Sequence, residues 1–529
     1  MSSAEQAILI EIPEQPRGDE PAAASGALKL RRVDRRQTTL LTVDVEGLIG
    51  PEHKARAMWE FSGRMDLTPF TAGMKTREGQ AGREAWDPQL LVSLWVYAYS
   101  EGIGSAREIE RQMEWEPGFQ WLGGLAKVNH HTLSDFRVGH RAGLDGLFAQ
   151  LLGLLEHAGC LSLERVMHDG TKIRAQAGVD TFRRERTVRQ HLERARAVVA
   201  QMGDPRKDEG AEAGRSRKRA AQERAARERQ ERVERAFVEL QTLQRDKEKE
   251  EDKQSVRVSL TEPEARLMKH GDNAIAPSYN AQITTDAEQK IIVGVHLSQS
   301  SSDAQSLAPA LAEVEQNLGR RPEQVVVDGG FTNRDTIVAC AAQHTDLIGS
   351  LPDPAERSAA AMKSAGIDPA FAPGQFVRQA EDDELRCPAG CRLKFLRQSK
   401  KRDNFYRQYQ AQSADCQSCV YQPRCCPKHA AQGRLVSILV EERAEVAEFR
   451  KKMQTPEAKA IYRQRGPVAE FPNAWIKEKL GLRKFRVRGL VKAGLEVLWA
   501  SLTYNVMAWI RLCWRPQVAA VEFFTAIPS

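Results

Sequence analysis

The stretch LERVMHDGTKIRAQAG, Leu163 to Gly178, sets a single aspartate, Asp169, between alternating apolar residues and a Gly-Thr-Lys turn. That alternation predicts a buried strand over roughly Arg165 to Ala175, with a bare carboxylate at its mouth. A second segment, EQVVVDGGFTNRDTI, reads as an apolar strand ending in Asp328. Ligands of mixed α/β sheets gather at the carboxyl ends of strands, and Asp328 lies at such an end. Two carboxylates from separate strands hold a hard divalent cation when a third acid joins them, because Mg²⁺ takes oxygen ligands and keeps several waters. With two ions roughly 3.5–4 Å apart, one activates the attacking oxygen and the other stabilises the leaving oxygen of a phosphodiester. The third acid is expected from a late helix crossing the sheet. There YRQRGPVAEFPNAWIKEKLGLRKFRVRG supplies Glu470, and Lys477 follows two helical turns along the same face.

Taken singly, each acid has a plainer reading. An Asp-Gly pair is usually a turn, VVVDGG occurs in metal-free α/β proteins, and Glu470 is one acid among dozens. The combination carries the argument.

The elements that must position these acids set the next expectations. A chain of 529 residues is long enough for roughly three or four domains. It is 41% hydrophobic and 28% charged, with a net charge of +7 whose excess clusters in stretches such as RKFRVRGLVK. Such clusters favour an acidic polymer as partner, nucleic acid above all. Nine cysteines in so long a chain do not make a secreted disulfide scaffold. The N-terminus has no basic leader, LLVSLWVYAY is too short to span a bilayer, and AGLEVLWASLTYNVMAWIRLCW is broken by Glu496, Asn505 and Arg511. A reducing cytoplasm is expected, with no membrane partner.

Residues 1–37 are expected to be a loose tail and 38–160 a helical unit. In the latter, DPQLLVSLWVYAYSEGIGSAREIERQMEW repeats apolar residues at three- and four-residue steps. Ser105 is placed to cap one helix, and Thr132 or Ser134 the next, whose end gathers Arg137, His140 and Arg141. Two short helices about a Gly-containing turn, the second basic, have the pattern of a helix-turn-helix. The strand of Asp169 falls in 161–180. Dense charge over 181–256 carries two thin apolar stripes, one through Leu192, Val198, Val199 and Met202, the other through Val233, Phe237, Leu240 and Leu243. This predicts an antiparallel helical hairpin, broken at GDPRKDEGAEAG and serving as a spacer or dimer contact. Over 257–352 the period changes to two: paired strands turn near Asp286, a helix is capped by Ser302 or Asp303, and two further strands follow. The fold class is α/β, a mixed five-stranded sheet with helices on both faces.

These segments resemble the DDE transposases of bacterial insertion sequences, a family with an RNase H-like catalytic domain. The likeness runs from about Met65 to Arg511. It includes WVYAYSEGIGSAREIERQMEW, DGTKIRA, TEPEARLMKHG, SYNAQITTD, VVVDGGF and AEFPNAWIKEKLGLRKFRVRGLVKAGLEVLWASLTYN. The resemblance implies that Asp169, Asp328 and Glu470 are the three catalytic acids, holding two Mg²⁺ or Mn²⁺ ions. It implies binding of the element's terminal inverted repeats, cleavage leaving a 3′-hydroxyl, and attack of that hydroxyl on target DNA, by a homodimer on double-stranded DNA near the bacterial nucleoid. Tyr462, Arg465, Glu470 and Lys477 occupy the family's Tyr-Arg-Glu-Lys signature. Four residues rather than three separate Arg465 from Glu470, and Pro467 and Pro472 flank the acid, so the helix must start or kink there. Further DNA contacts are expected from Lys484, Arg486, Arg488, Arg137 and Arg141.

Over a hundred residues separate Asp328 from Glu470, too many for a simple connection. They hold a cysteine-rich insert, 353–435, with RCPAGCRL and DCQSCVYQPRCCPK. Cys416 and Cys419 have zinc-knuckle spacing, and Cys387 and Cys425 are chosen over Cys391 and Cys426 to complete four thiolates around a structural Zn²⁺. Cys160, Cys340 and Cys513 read as core. The segment 436–515 carries the third acid and the last core helices, and 516–529 is a tail. Two rival readings stand beside the transposase. A phosphatase of the haloacid-dehalogenase kind would use HDGTK, but its nucleophile position is Met167. A domesticated, inactive DNA-binding derivative would keep the helices and lose the acids, which are present.

Overall fold

The computed structural model describes residues 42–72, 74, 84–202, 213–351, 362–379, 383–401, 404–441 and 443–518. The N-terminal tail, the expected hairpin break and the end of the C-terminal tail lie outside the described residues.

The first elements are helical: α1 (Lys54–Arg64), α2 (Pro88–Ser100), α3 (Ala106–Gln112), α4 (Pro117–Gly123), α5 (His130–Gly139) and α6 (Arg141–His157). Their starts follow local chemistry. His53, Asp87, Glu116 and Asn129 each accept a backbone N–H of the first turn, and Pro88 and Pro117 occupy first-turn positions where no amide hydrogen is needed. Ser105 does sit at the start of α3 but makes no side-chain cap bond, and the cap of α5 is Asn129 rather than Thr132 or Ser134. The charged insert forms two helices, α7 (Glu185–Met202) and α8 (Ala213–Arg245), which pack on one another. Val188, Ala236, Leu240 and Val258 bury their seam, with Phe237 and Leu243 packed at its side. Val198, expected in the stripe, is exposed.

The central sheet begins with β1 (Arg165–Arg174), then β2 (Arg266–Lys269), β3 (Ile275–Asp286), β4 (Ile292–Ser298), β5 (Gln324–Val326) and β6 (Asp346–Ile348). It has six strands, not five. The path β2-β3-β1-β5-β6 is joined by β4, which pairs β3 over Asn280–Thr285 while β2 pairs it over Ile275–Ser278. The extra strand thus shares the outer side of the long β3. β1 is antiparallel to β3 and parallel to β5, and β5 is parallel to β6. Between β4 and β5 runs α9 (Leu307–Leu318), and α10 (Arg334–Ala342) joins β5 to β6. Asp286 closes the β3–β4 turn by accepting the amides of Glu288 and Gln289.

The insert between Asp328 and Glu470 builds a second, five-stranded antiparallel sheet: β7 (Val377–Gln379), β8 (Glu384–Arg386), β9 (Arg392–Lys401), β10 (Asn404–Ala411) and β11 (Leu435–Glu441), in the order β11-β10-β9-β8-β7. Helices α11 (Ala444–Gln454), α12 (Pro456–Arg463), α13 (Arg465–Glu478) and α14 (Leu490–Trp509) follow.

α14 is buried almost along its length and packs against α2, α6 and β4, so one apolar core runs from the first helices to the sheet. Each fully buried Leu, Val or Trp on it contributes about 1.5–3 kcal/mol of transfer free energy. Of its polar interruptions, Ser501 Oγ is buried without a hydrogen-bond partner, while the Asn505 amide is paired on both sides. Asn505 accepts the amide of Ile292 at 2.9 Å and donates to its carbonyl at 2.7 Å, stitching the helix to the start of β4. Among the described residues no helix is long and apolar enough to cross a membrane.

Candidate active site

Asp169 lies in β1 and Asp328 two residues past the end of β5, the parallel neighbour of β1. The register pairs Met167 with Val326, so two residues further on each strand Asp169 and Asp328 come side by side. Asp328 Oδ1 accepts the amide of Gly330 at 2.7 Å, which folds the turn back beside the strand end. The two carboxylates feel each other. Burial, opposed by the Arg465 guanidinium and reinforced by the charges of Asp328 and Asp303, pushes the Asp169 carboxyl up to about 6.

Helix α13 covers this end of β1. Asn473 donates from Nδ2 to Asp169 Oδ2 at 3.0 Å, and Arg465 stands 3.9 Å from Oδ1. Lys477 lies near enough for the Asp169 charge to hold its proton, against burial that pulls its ammonium below the usual range. The helix starts at Arg465, so Pro467 falls in its first turn and Pro472 is accommodated inside it. Glu470 stands one turn before Asn473 and is exposed; among the described residues no hydrogen bond or ion pair joins it to either aspartate. The structure therefore brings Asp169 and Asp328 together and brings the helix, through Arg465, Asn473 and Lys477, against Asp169.

Asp303, expected as a candidate helix cap, lies on the other face of β1, with His168. It makes no side-chain cap for α9, whose N-cap is Ser306. Its Oδ1 instead accepts Asn280 Nδ2 at 2.7 Å and Gln282 Nε2 at 3.0 Å, both from β3. Gln282 Oε1 in turn meets the imidazole of His168 at 3.0 Å, and Thr284 Oγ1 meets its other nitrogen at 2.9 Å. The alternation in SYNAQITTD, with amides at every second residue, was the available signal: one face of β3 is polar inside the protein.

The donor chemistry around the acids suits a hard divalent cation. Asn473 Oδ1, beside Asp169, is buried and without a hydrogen-bond partner; Asn280 Oδ1 is too, but with Asp303 it stands on the opposite face of β1, the face of His168. Such oxygens are the ligands Mg²⁺ or Mn²⁺ takes. As placed, no three His, Cys, Asp or Glu side chains among the described residues form a group that holds a metal ion.

Of the residues expected to contact DNA, Lys484 and Arg488 are exposed, and Arg141 is exposed and paired with Asp145 at 2.7 Å. Tyr462 is half-buried against the cluster of Met167, Val326 and Ile348. One of the expected contacts does not face solvent. Arg137 is buried: it donates to Gly104 O at 2.8 Å, lies over the Trp95 ring and faces Glu496 at 3.7 Å. Arg486 is half-buried, 3.6 Å from Glu496 and bonded to Gly481 O. A Cβ at Gly104 would lie 2.2 Å from its guanidinium, so that glycine makes room for it. The buried Glu496 carboxylate claims both arginines, which a count of basic residues could not reveal.

All six cysteines of the insert, Cys387, Cys391, Cys416, Cys419, Cys425 and Cys426, line one cavity of about 30 Å³ beside β9 and β10. Cys391 and Cys426, left out of the expected set, belong to the same ring of thiols. Burial raises the thiols of Cys391, Cys416 and Cys425, the last to about 11. The Arg434 amide donates to Cys416 Sγ at 3.3 Å. Cys340 is buried as expected, while Cys160 and Cys513 are half-buried, their sulfurs 3.8 Å apart.

No curated protein and no solved structure matches the chain. Two family descriptions do. Residues 386–509, which hold most of the cysteine insert, α13 and α14, match a transposase DDE domain. Residues 45–139, the first helices, match the transposase domain DUF772. Transposase families act on DNA, and a DDE domain implies dependence on a divalent metal. With a transposase domain matched over residues 45–139 and a transposase DDE domain over 386–509, the protein is a member of the insertion-sequence DDE transposases.

Proposed function

We propose that the chain binds the terminal inverted repeats of its own element, cuts DNA at the element's end and joins the freed 3′-hydroxyl to target DNA. The observation that carries this reading is the meeting of Asp169 and Asp328 at adjacent parallel strand ends under a helix that also bears Glu470. The strand order, with β1 antiparallel to β3 and parallel to β5, agrees with an RNase H-like core. Asp169, Asp328 and Glu470 would hold Mg²⁺ or Mn²⁺, two ions per site. When bound, the ions supply charge stabilisation and an activated oxygen at neutral pH.

The rest of the task falls to the chain's own side chains. Asn473 fixes the direction of the Asp169 carboxylate, and Arg465 and Lys477 balance its charge on the side from which a phosphodiester approaches. A half-buried ammonium such as Lys477 also meets a phosphate oxygen with less hydration to strip. Lys484 and Arg488 continue this cationic edge along the backbone of the duplex, with Arg141 on the helical unit. Tyr462 braces α12 against the sheet.

A homodimer on DNA is expected because two ends must be joined, and the α7–α8 hairpin, with its charged outer surface, is the element we assign to that contact. For the insert, Cys387, Cys416, Cys419 and Cys425 would hold one structural Zn²⁺, with Cys391 and Cys426 beside them. Site of action is the bacterial cytoplasm, on nucleoid DNA. An inactive derivative is the second reading, kept because Glu470 stands apart from the two aspartates. Incubating the chain with Mn²⁺ and DNA bearing the flanking repeats decides between them: nicking by the wild type and none by Asp169→Asn, with binding retained, is expected. Equal nicking by both would refute the assignment.

A further inference from the structure

We propose that Glu262 and Glu264, the two acids of TEPEARL, are positioning residues that preset the loop 479–489 for the DNA backbone. The inference rests on the reading of Lys484 and Arg488 as DNA contacts and accounts for how those cations are held.

The loop joins α13, the helix over Asp169, to α14, and it is fastened along its length. Phe485 N donates to Arg174 O at 2.9 Å and Arg174 N to Arg483 O at 3.3 Å, so the loop lies parallel to the end of β1. The Phe485 ring is buried edge-on against Tyr279, their centroids 5.8 Å apart. Further on, carboxylates take over. Glu496 Oε2 accepts the Arg486 amide at 2.8 Å, Glu262 Oε1 that of Gly489 at 3.1 Å, and Glu264 Oε2 that of Leu490 at 2.6 Å. The Tyr279 hydroxyl donates to Glu262 Oε1 at 2.9 Å and ties that acid to β3. Gly489 has a φ of +90°, and a Cβ there would lie 3.2 Å from Glu264 Oε2, so the close approach needs glycine.

These anchors sort the side chains of the loop. Phe485 enters the core and Arg486 turns to Glu496, which leaves Lys484 and Arg488 facing solvent. Acids beside a surface that meets a polyanion oppose binding by their charge alone. As acceptors for the backbone they do the reverse, because a cationic loop already held in one shape meets phosphates without being ordered on binding. Capping α14 is the plainer role, and an acid at a helix start is favoured by the dipole. Glu264 alone would meet that need. Glu262 instead bonds the amide ahead of the first helical residue, and it is almost wholly buried there. Burial raises its carboxyl, opposed by the Gly489 and Tyr279 donors and by the nearby Arg488 guanidinium. The buried acid and the exposed arginine are thus neighbours.

The two roles differ in sign: removing acids that only cap α14 leaves DNA binding unchanged or tighter, whereas removing acids that shape the loop weakens it. The test is fluorescence anisotropy of a mixed-sequence DNA duplex with the full-length chain, over a salt series without divalent cation. Thermal unfolding gives the folded fraction. Glu264→Ala is expected to weaken binding roughly three- to tenfold. The slope of log affinity against log salt should also fall by about one, as when a phosphate contact is lost. Glu264→Gln keeps an accepting oxygen and should bind at least as tightly as the wild type. Glu262→Ala should weaken binding as Glu264→Ala does. Unchanged or tighter binding by both alanine variants, or equal loss in Glu264→Gln, would overturn the positioning role; the DNA edge stands if the double variant Lys484→Ala, Arg488→Ala still loses affinity. Wild-type affinity in that double variant would overturn the DNA edge itself. If the alanine variants melt early, Gly489→Ala disturbs the same turn with both acids retained, and unchanged affinity there counts against the proposal.

Discussion

Asn473 reaches Asp169 across 304 positions of sequence with a hydrogen bond of 3.0 Å, and it is this amide, not the acid one turn before it, that ties the late helix to the first strand. The bond sets the angle at which the Asp169 carboxylate faces Asp328. It also ranks the residues of α13 by what they do: Asn473 orients, Arg465 and Lys477 balance charge, and Glu470 is left exposed.

Asn473→Ala should lower DNA cleavage by roughly ten- to a hundredfold, as loss of an orienting partner does at metal sites. End binding should change little, because the side chain is buried. Single-turnover cleavage beside a gel-shift assay separates the two. Asn473→Asp should lose as much activity and also melt earlier without divalent cation, since a further carboxylate then stands against Asp169.

Arg137→Ala tests whether this arginine serves the core or the DNA face. Removing Arg137 leaves the buried Glu496 with Arg486 as its one remaining cation and costs up to about 3–5 kcal/mol. Denaturant unfolding should show that loss, while DNA affinity per folded molecule stays near that of the wild type. Arg488→Ala should do the reverse, with unchanged stability and weaker binding that grows less salt-dependent. A swap of these two outcomes would return Arg137 to the DNA face.

His53 makes the start of α1 sensitive to acid. Its Nδ1 accepts the Ala55 amide at 3.2 Å, and burial, opposed by Glu116 and Glu101 and assisted by Lys54 and Arg56, lowers its pKa from the ordinary 6.5. A protonated ring cannot accept at that nitrogen. With the folded value below the unfolded one, the cap's contribution is full above pH 6.5 and is lost as pH falls through the lowered value. His53→Asn keeps a capping oxygen and does not titrate. It should leave stability at pH 7.5 nearly unchanged and recover about 1 kcal/mol at pH 5, read by urea unfolding at both pH values.

Zinc removal should act on the insert alone. A chelator or Cys416→Ser is expected to release one zinc per chain and to loosen β7–β11, seen as faster amide exchange there, with β1–β6 protected as before. The cluster of Phe376, Leu385, Leu393, Tyr409, Ala411 and Val436 is small, so little else holds that sheet.

Much of this was legible in the chain. The strands of Asp169 and Asp328 were, because apolar alternation and a terminal Asp-Gly are local signals, and so were the paired helices of the insert and the cysteine-rich segment. Asp303 was not. Ser-Asp ahead of an amphipathic helix is the ordinary pattern of a cap, and only the amides of β3, reached through tertiary folding, hold its carboxylate against the sheet instead. Arg137 misled for the same reason: a charge reads as solvent-facing until its buried partner, Glu496, is known. The sixth strand escaped because RLMK is too short to show a period of two.

The position of α14 bears on how the protein comes into being. The surfaces it seals, on α2, α6 and β4, are made long before it leaves the ribosome. A nascent chain ending ahead of Leu490 therefore presents an open greasy trough, a substrate for chaperones and proteases and not a working fragment. Competence arrives all at once, near the end of translation, so prematurely stopped copies should be cleared instead of competing with the finished enzyme for DNA.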